Sequence, residues 1–431
     1  MCRIMALAVA ILFLVPIAAL AQGPSLSAGA AKLSLVPPFP TQMGGFFDRT
    51  ETFTGVTTPV YARALVLDNG AAKVAVVATD LIAISWEVVE PARKRIASQC
   101  DIPEDNILIT AAHNHSGPSG FAGSSTLGLE ENVAFTEFVI ATLTDAVLSA
   151  NDELRPARMG FRMGQLSEIT SNRQQGNDTV IDPDVGVLRV TEADSRATIA
   201  VLFNFTGHPV IVGSENLTLC GEYPGQAQQF VEDTLGGVAL FTQGACGDVT
   251  MKRSGPPFEE VKRIGNIVGA EVIRTAELIT PDDDATLNSV FERVVVAPRE
   301  VPSVEEAERL MAEADRKVEE AQSANASEAQ LRTLRRDASA SRTTLMVARA
   351  VASHPGALER SAQASVQVMQ LGPVVLVGIP GELFVEYGLE MKKRVRQSLA
   401  RPMMLVGYAN DYIGYIVTPR ASHTGGYEQA T

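Results

Sequence analysis

VYARALVLDNGAAKVAVVATDLIAI, residues 60–84, reads as strand, turn, strand. The first half alternates and closes on Asp68-Asn69-Gly70, while KVAVVATDLIAI is a continuous apolar run. Continuous runs suit strands that are covered on both faces. Helix-like segments with apolar residues three and four apart follow at Glu87 to Gln99 and Val133 to Ala150. The alternation then repeats. ATIAVLFNFTG (197–207) and GGVALFTQG (236–244) read as buried strands, and FEEVKRIGNIVGAEVIRTAELI (258–279) as a long helix between strands. These readings predict a layered α/β (α+β) fold, a mixed β-sheet core with flanking helices.

The stretch from Ser303 to Ala352 has a different texture. Ser303 with Glu306, and Ser327 with Gln330, have the spacing that opens a helix. Val304, Ala307, Met311, Ala314, Val318 and Ala321 form one stripe, and Leu331, Leu334, Ala338 and Leu345 another. The expectation is an inserted antiparallel helical hairpin over 303–352, a solvated structural arm of one domain spanning 22–431.

Arg3 precedes an apolar run from Ile4 to Ile17 that ends in Ala19-Leu20-Ala21, the pattern of a cleaved signal peptide. Residues 1–21 are therefore expected to be removed and the rest secreted or periplasmic. With 46% hydrophobic and 20% charged residues, the chain can bury a large core. A net charge of −14 argues against nucleic acid, whose binding draws on clustered Lys and Arg. Cys100, Cys220 and Cys246 follow the signal, and in an oxidising compartment they allow one disulfide, with Cys220–Cys246 the preferred pair. No Cys/His spacing of the zinc-finger kind is present.

The chain has five histidines, and two of them lie in Ala112-His113-Asn114-His115-Ser116-Gly117-Pro118, directly after the strand-like NILIT (106–110). Strand carboxyl ends are where α/β folds gather ligands. On an extended backbone, residues two apart point to the same side, so His113 and His115 could serve one site. His208, in NFTGHPVIVG, again ends an apolar run, and it fits either a site or a core histidine bonded to backbone. Glu382, in Gly378-Ile379-Pro380-Gly381-Glu382, follows VVLVG and fits either a site carboxylate or a helix cap. Asn410-Asp411-Tyr412-Ile413-Gly414-Tyr415 and Tyr427-Glu428 come last; closely spaced tyrosines of this kind usually serve packing.

In this order, HxHSGP, HP, PGE, NxYxxY and YE resemble the neutral/alkaline (non-lysosomal type) ceramidase family, in its N-terminal catalytic domain, from about Arg63 onward. The resemblance implies zinc held by His113, His208, Glu382 and Tyr415, with His115 beside it as a proton-transfer group. It also implies that Tyr427 bonds the substrate carbonyl and that Arg173, in Ser171-Asn172-Arg173, is the site arginine. The expected activity is hydrolysis of the N-acyl amide bond of ceramide or a similar N-acyl lipid by zinc-activated water, with peripheral membrane-surface contact. Where the family has GDVS, this chain has Gly247-Asp248-Val249-Thr250, which puts a serine-nucleophile scheme in doubt but leaves Thr250 a hydroxyl. PRASHTGGY (419–427) lacks an acidic EEY-like element, and the chain stops soon after Tyr427. That reads as a short bacterial-type relative without the immunoglobulin-like C-terminal domain, or as a truncated reading frame. Two other readings stay open: a zinc hydrolase of another N-acyl amide or ester, and a secreted non-catalytic binding protein with a decayed site.

Overall fold

The structure, a computed structural model, describes residues 26–46, 49–119, 132–174, 180–296, 300–353, 363–424 and 428. The expected signal segment and Tyr427 lie outside these residues.

The main sheet has eight strands in the order Val238–Gln243, Thr198–Phe205, Asp184–Glu192, Arg155–Gln165, Ser27–Ser34, Tyr61–Asp68, Lys73–Thr79 and Ile107–Ala111. It is mixed. Val238–Gln243 runs parallel to Thr198–Phe205, and Lys73–Thr79 parallel to Ile107–Ala111, while the intervening pairs are antiparallel. Gly70 has φ +79°, and the Asp68 carboxylate accepts its amide, which turns the chain between the strands Tyr61–Asp68 and Lys73–Thr79. The second strand ends at Thr79, so the last part of the apolar run, Asp80 to Ile84, leaves the sheet.

Alternate residues face two different cores. Ala64, Val66, Ala75 and Val77 pack with helices Trp86–Gln99 and Val133–Asp152. Leu65, Leu67, Val74 and Val76 pack against Met369, Leu371, Val374, Leu376, Met404 and Val406 of a second sheet. That sheet has four strands, Leu287–Val295, Gln363–Leu371, Val374–Gly378 and Met403–Val406. Helices Glu222–Leu235 and Pro257–Glu277 cover the other half of the main sheet, and Val385–Leu399 covers the small one. The result is helices, sheet, sheet, helix. Val304–Ser323 and Glu328–Ser353 pair with each other outside these layers.

One expectation is corrected. Cys100, Cys220 and Cys246 are all free thiols. Cys246 Sγ faces the Tyr408 hydroxyl at 3.1 Å, whereas Cys220 Sγ accepts from Thr58 Oγ1 at 3.5 Å. Tertiary neighbours claim each sulfur separately, and burial raises both thiols, Cys220 to about 11.

Candidate metal centre

The chain leaving the carboxyl ends of several strands converges on one buried spot. Ile107–Ala111 leads to His113, Thr198–Phe205 to His208, Val374–Gly378 to Glu382, and Met403–Val406 to Tyr408 and Tyr412. Cross-links hold these exits together: Ala111 N donates to the Tyr408 carbonyl, Asn410 N to Ile109, and Ile379 N to Val406.

His113 Nε2 lies 3.0 Å from His208 Nε2 and 3.2 Å from His115 Nε2. Glu382 Oε2 is 3.3 Å from His113 Nε2 and 3.5 Å from His208 Nε2. His113, His208 and Glu382 are each about 2–3% exposed and so shielded from bulk water, while His115 is half-buried at their edge. The other nitrogen of each central ring is anchored: His113 Nδ1 is 2.8 Å from the Ile82 carbonyl, and His208 Nδ1 is 2.9 Å from the Cys246 carbonyl. A carbonyl only accepts, so each Nδ1 carries a proton, which leaves Nε2 as the atom each ring offers to the cluster.

The side chains of His113 and His115 do meet, but not by strand alternation. The strand ends at Ala111, and His113 has φ +63°, in the left-handed region. That turn swings one imidazole onto Tyr408, against which it stacks at 4.2 Å, and leaves His115 edge-on to it. Phe46 meets the His115 ring edge-on at 5.2 Å, and Arg49 Nη2 donates to the His115 carbonyl at 2.8 Å. Gly45, at φ +102°, lies so close to the ring that a Cβ there would collide with Nδ1.

Burial is the largest single influence on the Glu382 carboxyl and raises it, but His113 and the Tyr412 hydroxyl together outweigh burial, and it falls to about 2. Burial first, and the neighbouring imidazoles next, hold His115 well below the usual histidine range. His208 is also lowered by burial, then by Arg173 and His113. The carboxyl is therefore held ionised, and the His115 and His208 rings are held toward their neutral form.

Tyr412 Oη donates to Glu382 Oε1 at 2.6 Å, and Tyr408 Oη to Oε2 at 3.3 Å. Tyr415 pairs with Glu382 in a two-stranded bridge, and its hydroxyl accepts from Arg173 Nη2 at 2.9 Å. Arg173 also donates to the Gly247 carbonyl at 2.7 Å and forms an ion pair with Glu428 at 2.7 Å. Thr250 bridges His208 on one side and pairs with Ser171 on the other. Glu382 is not the helix cap: Asp248 Oδ1 accepts the Val385 amide at 2.8 Å, at the first residue of the helix Val385–Leu399.

Sequence reasoning missed the supporting groups. The carbonyls of Ile82 and Cys246 carry no sequence signal. Gly44-Gly45-Phe46 and Tyr408 do carry one, in paired glycines and in a tyrosine two residues before Asn410, which opens the NxYxxY motif.

A model of the neutral/alkaline non-lysosomal ceramidase family, N-terminal region, matches residues 36–265, more than half of the chain. The neutral ceramidase of Mycobacterium tuberculosis is 25% identical over an alignment 444 positions long, covering 88% of this chain and 69% of that protein. Neutral ceramidase A of Dictyostelium discoideum is 26% identical over 52% of this chain, a match that spans 36% of that relative. The crystal structure of neutral ceramidase from Pseudomonas aeruginosa superposes with a TM-score of 0.74 at 19% identity, covering 94% of this chain and 71% of that one, and so shares the fold. The chain belongs to the neutral/alkaline non-lysosomal ceramidase family.

Proposed function

We propose that this protein hydrolyses the amide bond of ceramide or a closely related N-acyl lipid, with zinc held by His113, His208 and Glu382 and with Tyr415 as the fourth group that family resemblance implies. The observation that carries the metal is the pair of facing Nε2 atoms at 3.0 Å. With each Nδ1 donating to a carbonyl, the two Nε2 atoms and the ionised Glu382 carboxylate form a close group of potential ligand atoms that a cation would hold together. Two imidazoles and one carboxylate are a donor set of catalytic zinc, and rings whose far nitrogen is anchored on backbone carbonyls are the usual support for it. Bound there, zinc supplies a Lewis acid that polarises an acyl carbonyl and makes water more acidic.

The chain's own residues do the rest. His115, neutral because it is buried, accepts a proton at Nε2 during attack and returns it to the leaving amine. Arg173, joined by Tyr427 and Thr250, supplies donors to the oxygen that becomes negative, where one donor is worth about 3 kcal/mol. Glu428 and Gln174 fix that arginine's neighbourhood, since Gln174 Nε2 donates to Glu428 Oε2 at 2.7 Å while Glu428 Oε1 pairs with Arg173. A lipid substrate calls for peripheral contact with a membrane surface. Export after removal of residues 1–21, and one hydrolase domain over 22–431 that carries the 303–352 hairpin, belong to the same reading.

Metal analysis combined with a substrate panel tests it. The expected result is close to one zinc per chain and release of fatty acid from N-acyl sphingosines, lost on chelation and restored by zinc. Full turnover in demetallated protein would contradict the metal. Bound zinc with turnover only on N-acyl amino acids or esters would replace the substrate, and bound zinc with no acyl turnover would favour a binding protein. Amino-terminal sequencing of the exported protein is expected to begin at Gln22.

A further inference from the structure

We infer that Gln243 is a positioning residue that fixes the spacing of the two histidine-bearing loops, an inference resting on the metal reading above. Gln243 is the last residue of the strand Val238–Gln243 and is fully buried. Its Nε2 donates to the carbonyl of Ala112 at 3.2 Å and to that of Gly207 at 2.9 Å. Its Oε1 accepts the amides of Gly207 and Gly244, both at 3.1 Å. Ala112 immediately precedes His113, and Gly207 immediately precedes His208. The same residue's backbone carbonyl accepts from Gly407, which precedes Tyr408, at 2.9 Å.

Only a primary carboxamide offers two donors and two acceptors in this form, and here all four are used. The Nδ1 anchors on Ile82 and Cys246 set the tilt of each ring. They do not set the distance between the backbones that carry the rings, and that distance fixes the 3.0 Å gap between the two Nε2 atoms. Gly207 has a second donor in the Tyr223 hydroxyl, at 2.6 Å. The Ala112 carbonyl meets only Gln243 among the described residues, so loss of the carboxamide donors releases the His113 side first. A donor set tolerates displacements of roughly 0.5 Å before its geometry degrades.

The test is Gln243→Glu, which keeps shape and acceptors but sets lone pairs against the Ala112 and Gly207 carbonyls. Asn204→Asp is the matched control: Asn204 is equally buried, and its Nδ2 donates to Thr242 and Leu405 without reaching either histidine loop. Zinc affinity is read by competition with a chromophoric chelator, the visible spectrum of the cobalt-loaded protein reports donor geometry, and urea unfolding of the metal-free proteins reports stability. Gln243→Glu is expected to weaken zinc on the order of 10- to 100-fold and to change the cobalt spectrum. Asn204→Asp is expected to lose stability while zinc affinity and spectrum stay with the parent. Parent-like affinity and spectrum in Gln243→Glu, or equal loss in both variants, overturns the inference. A parent that binds no metal overturns instead the reading on which it rests. Should Gln243→Glu not fold, Gln243→Met, uncharged and of similar length, is read in the same way.

Discussion

At the candidate metal centre, His113 with His115 apart, the contacts join residues far apart in the chain, whereas the hairpin of helices Val304–Ser323 and Glu328–Ser353 is dressed largely by its own near neighbours. Glu306, Glu313 and Glu320 pair with Arg309, Lys317 and Arg316 three or four residues away, and the cross-links Arg342–Asp315 and Arg349–Glu308 are exposed. Its seam is small: Ala307, Leu345 and Ala348, with Val304 and Met311 against them. Exposed pairs of this kind add little each. The centre instead buries a carboxylate, two imidazoles and a phenol, with His115 and Tyr412 half-buried beside them, and spends backbone strain on them, with His113, Tyr408 and Asn410 all at positive φ. Substitutions in the two regions should therefore differ in kind as well as in size.

The largest effect is expected from His113→Ala. Zinc content should drop to background and amide hydrolysis by roughly 10³-fold or more, beyond the 10²–10³ that loss of one oxyanion donor typically causes; metal analysis and initial rates check this. Next comes Glu222, which is buried and accepts the amides of Ile211 at 3.1 Å and Val212 at 2.9 Å beside Ser116. Burial, outweighing those bonds, pushes its carboxyl from 4.5 up to about 7. A folded value above the unfolded one favours folding fully below about pH 4.5, and that contribution is lost as pH rises through 7. Glu222→Gln should remove this loss, so that the stability difference between variant and parent grows by about 3 kcal/mol between pH 4.5 and 8. Urea midpoints across that range would show it, and parallel pH profiles for the two proteins would count against it.

Tyr412→Phe should be milder, weakening zinc about 10-fold through loss of the bond to Glu382 while the fold stays intact; chelator competition measures it. Ser303→Ala, which removes the oxygen that accepts the Glu306 amide at 3.2 Å, should cost about 1 kcal/mol at the hairpin and leave turnover at the parent rate. A hairpin variant that lowered turnover as much as Tyr412→Phe would break the contrast between the regions.

That contrast also explains what could be read from the sequence. The two capping serines of the hairpin, the apolar runs at 73–79, 107–111, 198–205, 238–243 and 374–378, and the long helix at Pro257–Glu277 are local patterns, and the structure contains each of them. The strands Ser27–Ser34, Arg155–Gln165 and Asp184–Glu192 escaped, because glycines and charges interrupt their apolar positions and tertiary pairing alone makes them strands. Motif order singled out His113, His115, His208 and Glu382, which the fold does bring together, since loops after strand ends carry such residues. It assigned no role to Tyr412, set aside as packing, and the preference for a Cys220–Cys246 pair rested on cysteine count and an oxidising compartment. Whether a phenol reaches a carboxylate or a thiol another thiol depends on the turn at Tyr408–Asn410 and on where two loops end, and no local pattern encodes either.

The most direct test of the central claim is anomalous diffraction from crystals of the zinc-loaded protein, collected on either side of the zinc edge. One strong peak is expected within bonding distance of His113 Nε2, His208 Nε2 and a Glu382 carboxylate oxygen. A zinc peak bonded to other side chains, or none in crystals that retain these three in place, would contradict the account.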